Sequence, residues 1–168
     1  HLIFQPAEEG AGGAVKMIED GLFERFPCDA VYAFHNMPGI EAGRFVFRSG
    51  PAMASSDNVS IHLKGRGGHG AMPHAAVDTV VAAASIVMAL QTVVSRNVDP
   101  LKAAVVTVGA LHAGVANNVI PEDASLALSV RALDPQVRQH IKARIVELVK
   151  LHAESYQVQA DIDWRDGY

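Results

Sequence analysis

A single cysteine in 168 residues excludes an internal disulfide. Cys28 reads as core filler, in keeping with a reducing, cytoplasmic setting. There is no cluster of Lys and Arg, and 14 basic against 18 acidic residues leave a formal charge of -4. That balance argues against nucleic acid or an anionic membrane as a partner. Apolar residues reach 49%, yet polar interruptions across 77–95 predict that no stretch spans a bilayer. Internal repeats, low-complexity segments and a signal-peptide pattern are all missing. So is a phosphate loop: Gly65-Arg66-Gly67-Gly68-His69-Gly70 has neither the Walker lysine and hydroxyl nor a dinucleotide fingerprint, and it reads as a turn. What is left is a soluble globular chain, long enough for one sizeable core or two small ones. It starts at His1 inside an apparent strand, without an initiator Met, which suggests a piece of a longer protein.

Chemistry concentrates first in Phe4-Gln5-Pro6-Ala7-Glu8-Glu9-Gly10. His1 to Phe4 reads as a short buried strand, and Pro6, unable to donate to a ladder, takes the chain out of the sheet. Glu8 and Glu9 then fall on a strand-to-helix loop, the carboxyl edge where α/β sheets carry ligands. Adjacent carboxylates point in different directions, so one could hold a metal while the other moves a proton. The plainer alternative is that paired glutamates complement the dipole of the following helix.

That helix is predicted from Ala14, Val15, Ile18 and Leu22, closed by Asp20-Gly21. Asp29 to His35 reads as a second buried strand with His35 at its carboxyl end, and Arg44 to Arg48 as a half-exposed strand. Ser49 to Asp57 is rich in small residues and turn formers, as a linker is. Glu9 and His35 could converge on one metal at the sheet edge; a carboxylate and an imidazole suit Zn, Mn, Co or Ni without choosing among them. Two ligands are too few for a catalytic site.

Beyond the linker the pattern changes to β-α-β-β-α-β over residues 58–164. Val59, Ile61 and Leu63 alternate with polar neighbours; a helix spans Asp78 to Ser95 and a strand Ala104 to Leu111; His112 to Pro121 is a loop. Leu126, Leu128 and Val130 form another half-exposed strand, Asp134-Pro135 caps a helix, and Val158 to Trp164 is the last strand. This is the ferredoxin-like arrangement. Its first two long strands are parallel, which predicts that the His69 and Asn117-Asn118 loops are neighbours. Arg131, at the end of the antiparallel third strand, falls at the opposite edge, roughly 25–30 Å away at ~3.3 Å per residue. His74 and Asp78 read as loop and helix-start residues, and His62, His112, His140 and His152 as surface or partly buried residues without assigned chemistry.

Four motifs in order, FQPAEEG (4–10), AFHNMPG (33–39), GGHGAMPH (67–74) and NVIP (118–121) followed by Arg131, together resemble the metal-dependent amidohydrolases and carboxypeptidases of the M20 peptidase family. The likeness is greatest to the hippurate hydrolase and auxin-conjugate amidohydrolase branch. It implies an α/β plus α+β architecture: residues 1–52 as part of a catalytic α/β domain, 53–165 as a ferredoxin-like lid or dimerisation domain, and 166–168 returning toward the catalytic domain. It further implies Glu8 as general base, Glu9 and His35 as ligands, and two divalent metals per full-length subunit. The family's other ligands, upstream and after the lid, are not in these residues, so the segment alone is expected to be inactive.

The expected substrate is a small N-acyl or N-aroyl amino acid, and the expected partner a second copy of the chain. Because one lid cannot bring both sheet edges to one pocket, His69 and Asn118 are expected to reach a partner's pocket and stabilise an oxyanion. Arg131 would hold the substrate carboxylate in its own. Two rivals remain at this stage: a non-catalytic dimerisation scaffold, and a small-molecule-binding ferredoxin-like domain.

Overall fold

The structure is a computed structural model and describes residues 1–10 and 12–167. They fall into two compact units, 1–50 and 51–168.

The larger unit is built on a four-stranded antiparallel sheet of β1 (Asp57–Lys64), β3 (Ala104–Ala113), β5 (Asp123–Ala132) and β6 (Gln159–Arg165), in the order β3-β5-β1-β6. Strict alternation in β1 buries Asp57, Val59, Ile61 and Leu63 and exposes the residues between them. Two helices cover that inner face. In α3 (Thr79–Asn97) the small and branched residues Ala82, Ala83, Ile86, Leu90 and Val93 recur at helical spacing and are buried. In α4 (Pro135–Ser155) the stripe is Ile141, Ile145, Leu148 and Val149. Ile61, Ile86, Ile141 and Ile145 are at most 1% exposed, so burial of each contributes about 1.5–3 kcal/mol.

Both helices start as the sequence suggests. The Asp78 carboxylate accepts from the Val80 and Val81 amides, and Asp134 does the same for Gln136 and Val137 ahead of Pro135. A second, two-stranded sheet pairs β2 (Gly68–His69) with β4 (Val119–Ile120).

Several expectations need correction. Asp57 is not a linker residue but the first residue of β1, and β3 runs on through His112 to Ala113. The supposed loop after it contains β4, because Val119 and Ile120 find partners in the glycine loop. By length and composition α3 is apolar enough to cross a membrane, contrary to the reading of 77–95. Its interior serine is used within the fold instead, where Ser85 Oγ and His152 Nδ1 lie 2.8 Å apart and join α3 to α4.

In residues 1–50 the three expected strands do not form: 1–5, 31–37 and 44–48 carry no ladder. Phe4, Tyr32, Phe34 and Phe47 are each more than 80% exposed, and Cys28 is exposed rather than core filler. Apolar periodicity records burial against partners that these fifty residues do not themselves supply. The expected helix divides into α1 (Gly13–Glu19) and α2 (Leu22–Arg25) where Gly21 takes φ 83 after Asp20, and Val15 and Ile18 stay exposed.

One buried carboxylate ties the larger unit together. Asp57 is 0% exposed and receives two bonds from the Arg138 guanidinium and one from the Gly167 amide. Arg138 also donates to the Gly167 carbonyl at 2.8 Å. Burial works to raise the Asp57 pKa, but the Arg138 and Gly167 hydrogen bonds and the Arg138 charge outweigh it and hold the carboxyl below its ordinary value of 3.8. A depressed folded pKa contributes stability that is complete above the ordinary carboxylate range and is lost as pH falls through the lowered value. Asp57→Ala, which leaves the guanidinium only the Gly167 carbonyl and the Asp166 carboxylate at 3.7 Å, should therefore cost about 3 kcal/mol at neutral pH, the low end for breaking a buried pair. Its denaturant midpoint should also lose part of the wild-type fall below about pH 4. An unchanged midpoint at pH 7 would show that the pair holds nothing together.

Candidate functional site

The glycine loop is shaped by close backbone approach. A Cβ at Gly65 would lie 2.3 Å from the Val77 carbonyl oxygen, where Arg66 and Val77 form an isolated bridge. At Gly70 a Cβ would come within 3.1 Å of both the Asn118 carbonyl carbon and its oxygen. No side chain fits the first of these, and the second is tighter than ordinary packing.

With those contacts made, Gly68 faces Ile120, His69 faces Val119, and the Gly70 amide donates to the Asn118 carbonyl at 2.7 Å. His69 and Asn118 are thus one register step apart on two paired segments. The expectation that these loops are neighbours holds, and the reason is a ladder rather than chance proximity. The Met72 amide closes the loop on the His69 carbonyl at 2.8 Å, and the Ala71 amide donates to His69 Nδ1 at 3.1 Å. The His69 side chain is exposed, and among the described residues its Nε2 takes no hydrogen bond. His74 lies in the 3-10 turn Pro73–Ala75, and Asp78 is occupied as a helix cap.

Arg131 lies elsewhere. It pairs with Val105, exposed, at the end of β5 where Val130 meets Asp57; the other end of β5 meets Lys64, from which the His69 loop departs. The structure therefore brings His69 and Asn118 together and sets Arg131 at the opposite edge of the same sheet. At that edge the Ser55 amide and hydroxyl both donate to the Ala132 carbonyl, at 2.9 and 3.1 Å.

In the smaller unit Glu8 and Glu9 occupy a turn in which the Gly10 amide donates to the Glu8 carbonyl at 2.9 Å, and both side chains are exposed. His35 Nδ1 lies 2.7 Å from the Asn36 carbonyl oxygen. A carbonyl only accepts, so Nδ1 carries a hydrogen, and in the neutral ring the lone pair is then on Nε2, the form in which imidazole binds a metal. Glu9 and His35 thus have the chemistry of ligands. Among the described residues no three His, Cys, Asp or Glu side chains converge to hold a metal.

Sequence reasoning missed Gly70 and the Ala71 amide. The signal was available in the branched pair Val119-Ile120 within Asn118-Val119-Ile120-Pro121, which could have been matched as a strand to the glycine loop.

Residues 54–157 match the family model for the M20 peptidase dimerisation domain. The chain is 48% identical over 163 residues to a hippurate hydrolase of Campylobacter jejuni, covering 97% of this chain and 43% of that one. It is 39% identical over 166 residues to an N-acetyl-L-cysteine deacetylase of Bacillus subtilis, covering 99% and 39%. Among solved structures, a provisionally assigned aminohydrolase from methicillin resistant Staphylococcus aureus superposes with a TM-score of 0.90 at 34% identity, covering 98% of this chain and 44% of that one. A Bacillus subtilis protein described as a dinuclear metal binding peptidase of the same family superposes with a TM-score of 0.72 at 31% identity, covering 98% and 40%. The chain spans less than half the length of the curated relatives it matches.

With only Glu9 and His35 as donors, the 168 residues alone should bind Zn²⁺ or Mn²⁺ weakly and without defined stoichiometry in a calorimetric titration. A tight one-to-one or two-to-one site would mean that further ligands lie within them.

Proposed function

This chain belongs to the M20 peptidase family, and from that premise we propose that it supplies the lid and part of the catalytic domain of a metal-dependent amidohydrolase acting on N-acyl or N-aroyl amino acids. The ladder joining His69 to Asn118, in a chain that also keeps Glu8, Glu9 and His35, is the observation that carries this reading. The relatives named for hippurate and for N-acetyl-L-cysteine support the substrate class. A cytoplasmic enzyme fits the single cysteine.

Glu9 and the Nε2 lone pair of His35 are suited to hold one of two divalent metals, completed by ligands from the rest of the protein; a relative described as dinuclear supports the count. The metal supplies Lewis-acid polarisation of the scissile carbonyl and a lowered pKa for water. Glu8 takes the proton of the attacking water and returns it to the leaving amine. His69 and Asn118 donate to the oxygen on which negative charge develops, each such donor being worth about 10²–10³ in kcat. Arg131 offers a bidentate fork to the substrate carboxylate.

The working unit is a homodimer, and the two sheet edges support one site for it over the other. Edge strand β6 carries Asp161, Asp163 and Arg165, charges of the kind that keep an edge unpaired. Edge strand β3 is ten residues long with neither a charge nor a proline. Beside it runs a groove of about 270 Å³ lined by Leu90, Gln91, Val94 and Val105, and the neighbouring helix α3 leaves Val81 and Met88 exposed, 49% and 70%. An unguarded edge next to apolar surface is where a second copy would add its own β3.

In the complete enzyme, Glu8→Gln should keep its metal while kcat falls about 10²–10⁴-fold, whereas Glu9→Ala should lose metal. Near-normal turnover by Glu8→Gln would remove it as the base.

Sharing across the dimer is tested by complementation. Inactive His69→Ala subunits mixed with inactive Glu8→Gln subunits should recover activity on exchange, because one site in each mixed dimer has both residues intact. Continued inactivity despite demonstrated exchange would confine each site to one subunit.

A further inference from the structure

We propose that Gly70 and the Ala71 amide are positioning elements that arm His69: Ala71 fixes the imidazole as an Nε2–H donor, and Gly70 sets its distance from Asn118. The proposal rests on the amidohydrolase reading of the same site and adds to it how the donor pair is built.

The tautomer follows from the Ala71 contact. A backbone amide can only donate, and it stands 3.1 Å from His69 Nδ1, so Nδ1 must offer its lone pair. The one ring hydrogen of the neutral imidazole is then on Nε2, the nitrogen that takes no hydrogen bond among the described residues. The other tautomer would set two N–H groups against each other and turn a lone pair outward. Only the first can donate to an oxygen gaining negative charge.

The spacing follows from Gly70. Its amide donates to the Asn118 carbonyl at 2.7 Å, and its missing Cβ would meet that peptide at 3.1 Å, so the two segments approach as closely as a residue without a side chain permits. His69 precedes this contact by one residue and Asn118 makes it. A methyl group at position 70 would push Asn118 away by a few tenths of an ångström while leaving both donors in place. Losses of about 100-fold accompany 1 Å misplacements, so a shift of this size predicts about tenfold.

Ring tautomers are read directly by long-range ¹H–¹⁵N correlation on the full-length enzyme labelled at histidine, with the His69 signals assigned by their loss in His69→Gln. The expected pattern is Nε2–H with an unprotonated Nδ1; Nδ1–H at neutral ring would overturn the proposal, whatever the variants do. Gly70→Ala should lower kcat about tenfold with KM within about twofold, since it touches no group that holds the ground-state substrate. Full kcat in Gly70→Ala alongside a crippled His69→Ala would overturn the positioning role and leave the amidohydrolase reading standing. Full activity in His69→Ala would overturn the His69 donor role and the positioning proposal together, whereas a wild-type full-length enzyme that hydrolyses no N-acyl or N-aroyl amino acid would overturn the amidohydrolase reading itself.

Discussion

The direction of one strand governs what this lid can do. β5 runs antiparallel to both β1 and β3, so those two are parallel to each other and release their following loops at one edge of the sheet. The loop after β1 carries His69 and the loop after β3 carries Asn118, and the β2–β4 ladder joins them there. The same antiparallel step delivers Arg131 to the far edge. Two groups suited to an oxyanion and one suited to a carboxylate are thus separated by the length of a strand. A rigid sheet cannot close that distance. In the shared site we propose, the need for a second lid follows from that topology, and the unguarded β3 edge is where we propose it joins.

The end of the sheet that holds Arg131 is also where the segments before β1 and after β6 lie. Ser55 is bonded to the Ala132 carbonyl next to Arg131, Asp57 begins β1, and Asp166 and Gly167 follow β6. The Asp57 carboxylate takes Arg138 from α4 and the Gly167 amide at once, and Gly167 passes so close to Ser56 that a Cβ would sit 1.9 Å from its carbonyl oxygen. Lys142 adds a second tie from α4, bonding Asp166 at 2.8 Å and lying 5.1 Å from the centre of the Trp164 ring. The segments before β1 and after β6 are therefore fixed to one another and to α4. Arg131 sits at that end of the sheet and the His69 loop at the other.

How much of this was legible in the sequence depended on whether the partners of each element were inside the chain. The βαββαβ order was readable because β1, β5 and both helices bury their apolar stripes against one another, so alternation and helical spacing correspond to contacts that exist. The neighbouring of the His69 and Asn118 loops followed from that order alone. The same rules misread His1 to Phe4, Asp29 to His35 and Arg44 to Arg48, whose apolar residues are exposed and find no ladder partner among the described residues. Asp57 was hidden for another reason. A small polar residue after two serines has the composition of a linker, and only the tertiary placement of Arg138, 81 positions later, makes it a buried anchor.

The two histidines singled out by their positions at element ends make opposite backbone contacts at Nδ1, which in the neutral rings call for opposite tautomers. His35 donates from Nδ1 to the carbonyl of the next residue, which leaves a lone pair on Nε2. His69 accepts at Nδ1 from the amide two residues on, which leaves a hydrogen on Nε2. In the roles we propose, a ligand at His35 would give electrons and an oxyanion donor at His69 would give a hydrogen bond, and the two local contacts differ accordingly. Neither choice needs a charged neighbour or deep burial. Both lie in the conformation of a few loop residues, Asn36 in one case and Gly70-Ala71 in the other, so a substitution that alters those loops can change the chemistry without touching either histidine.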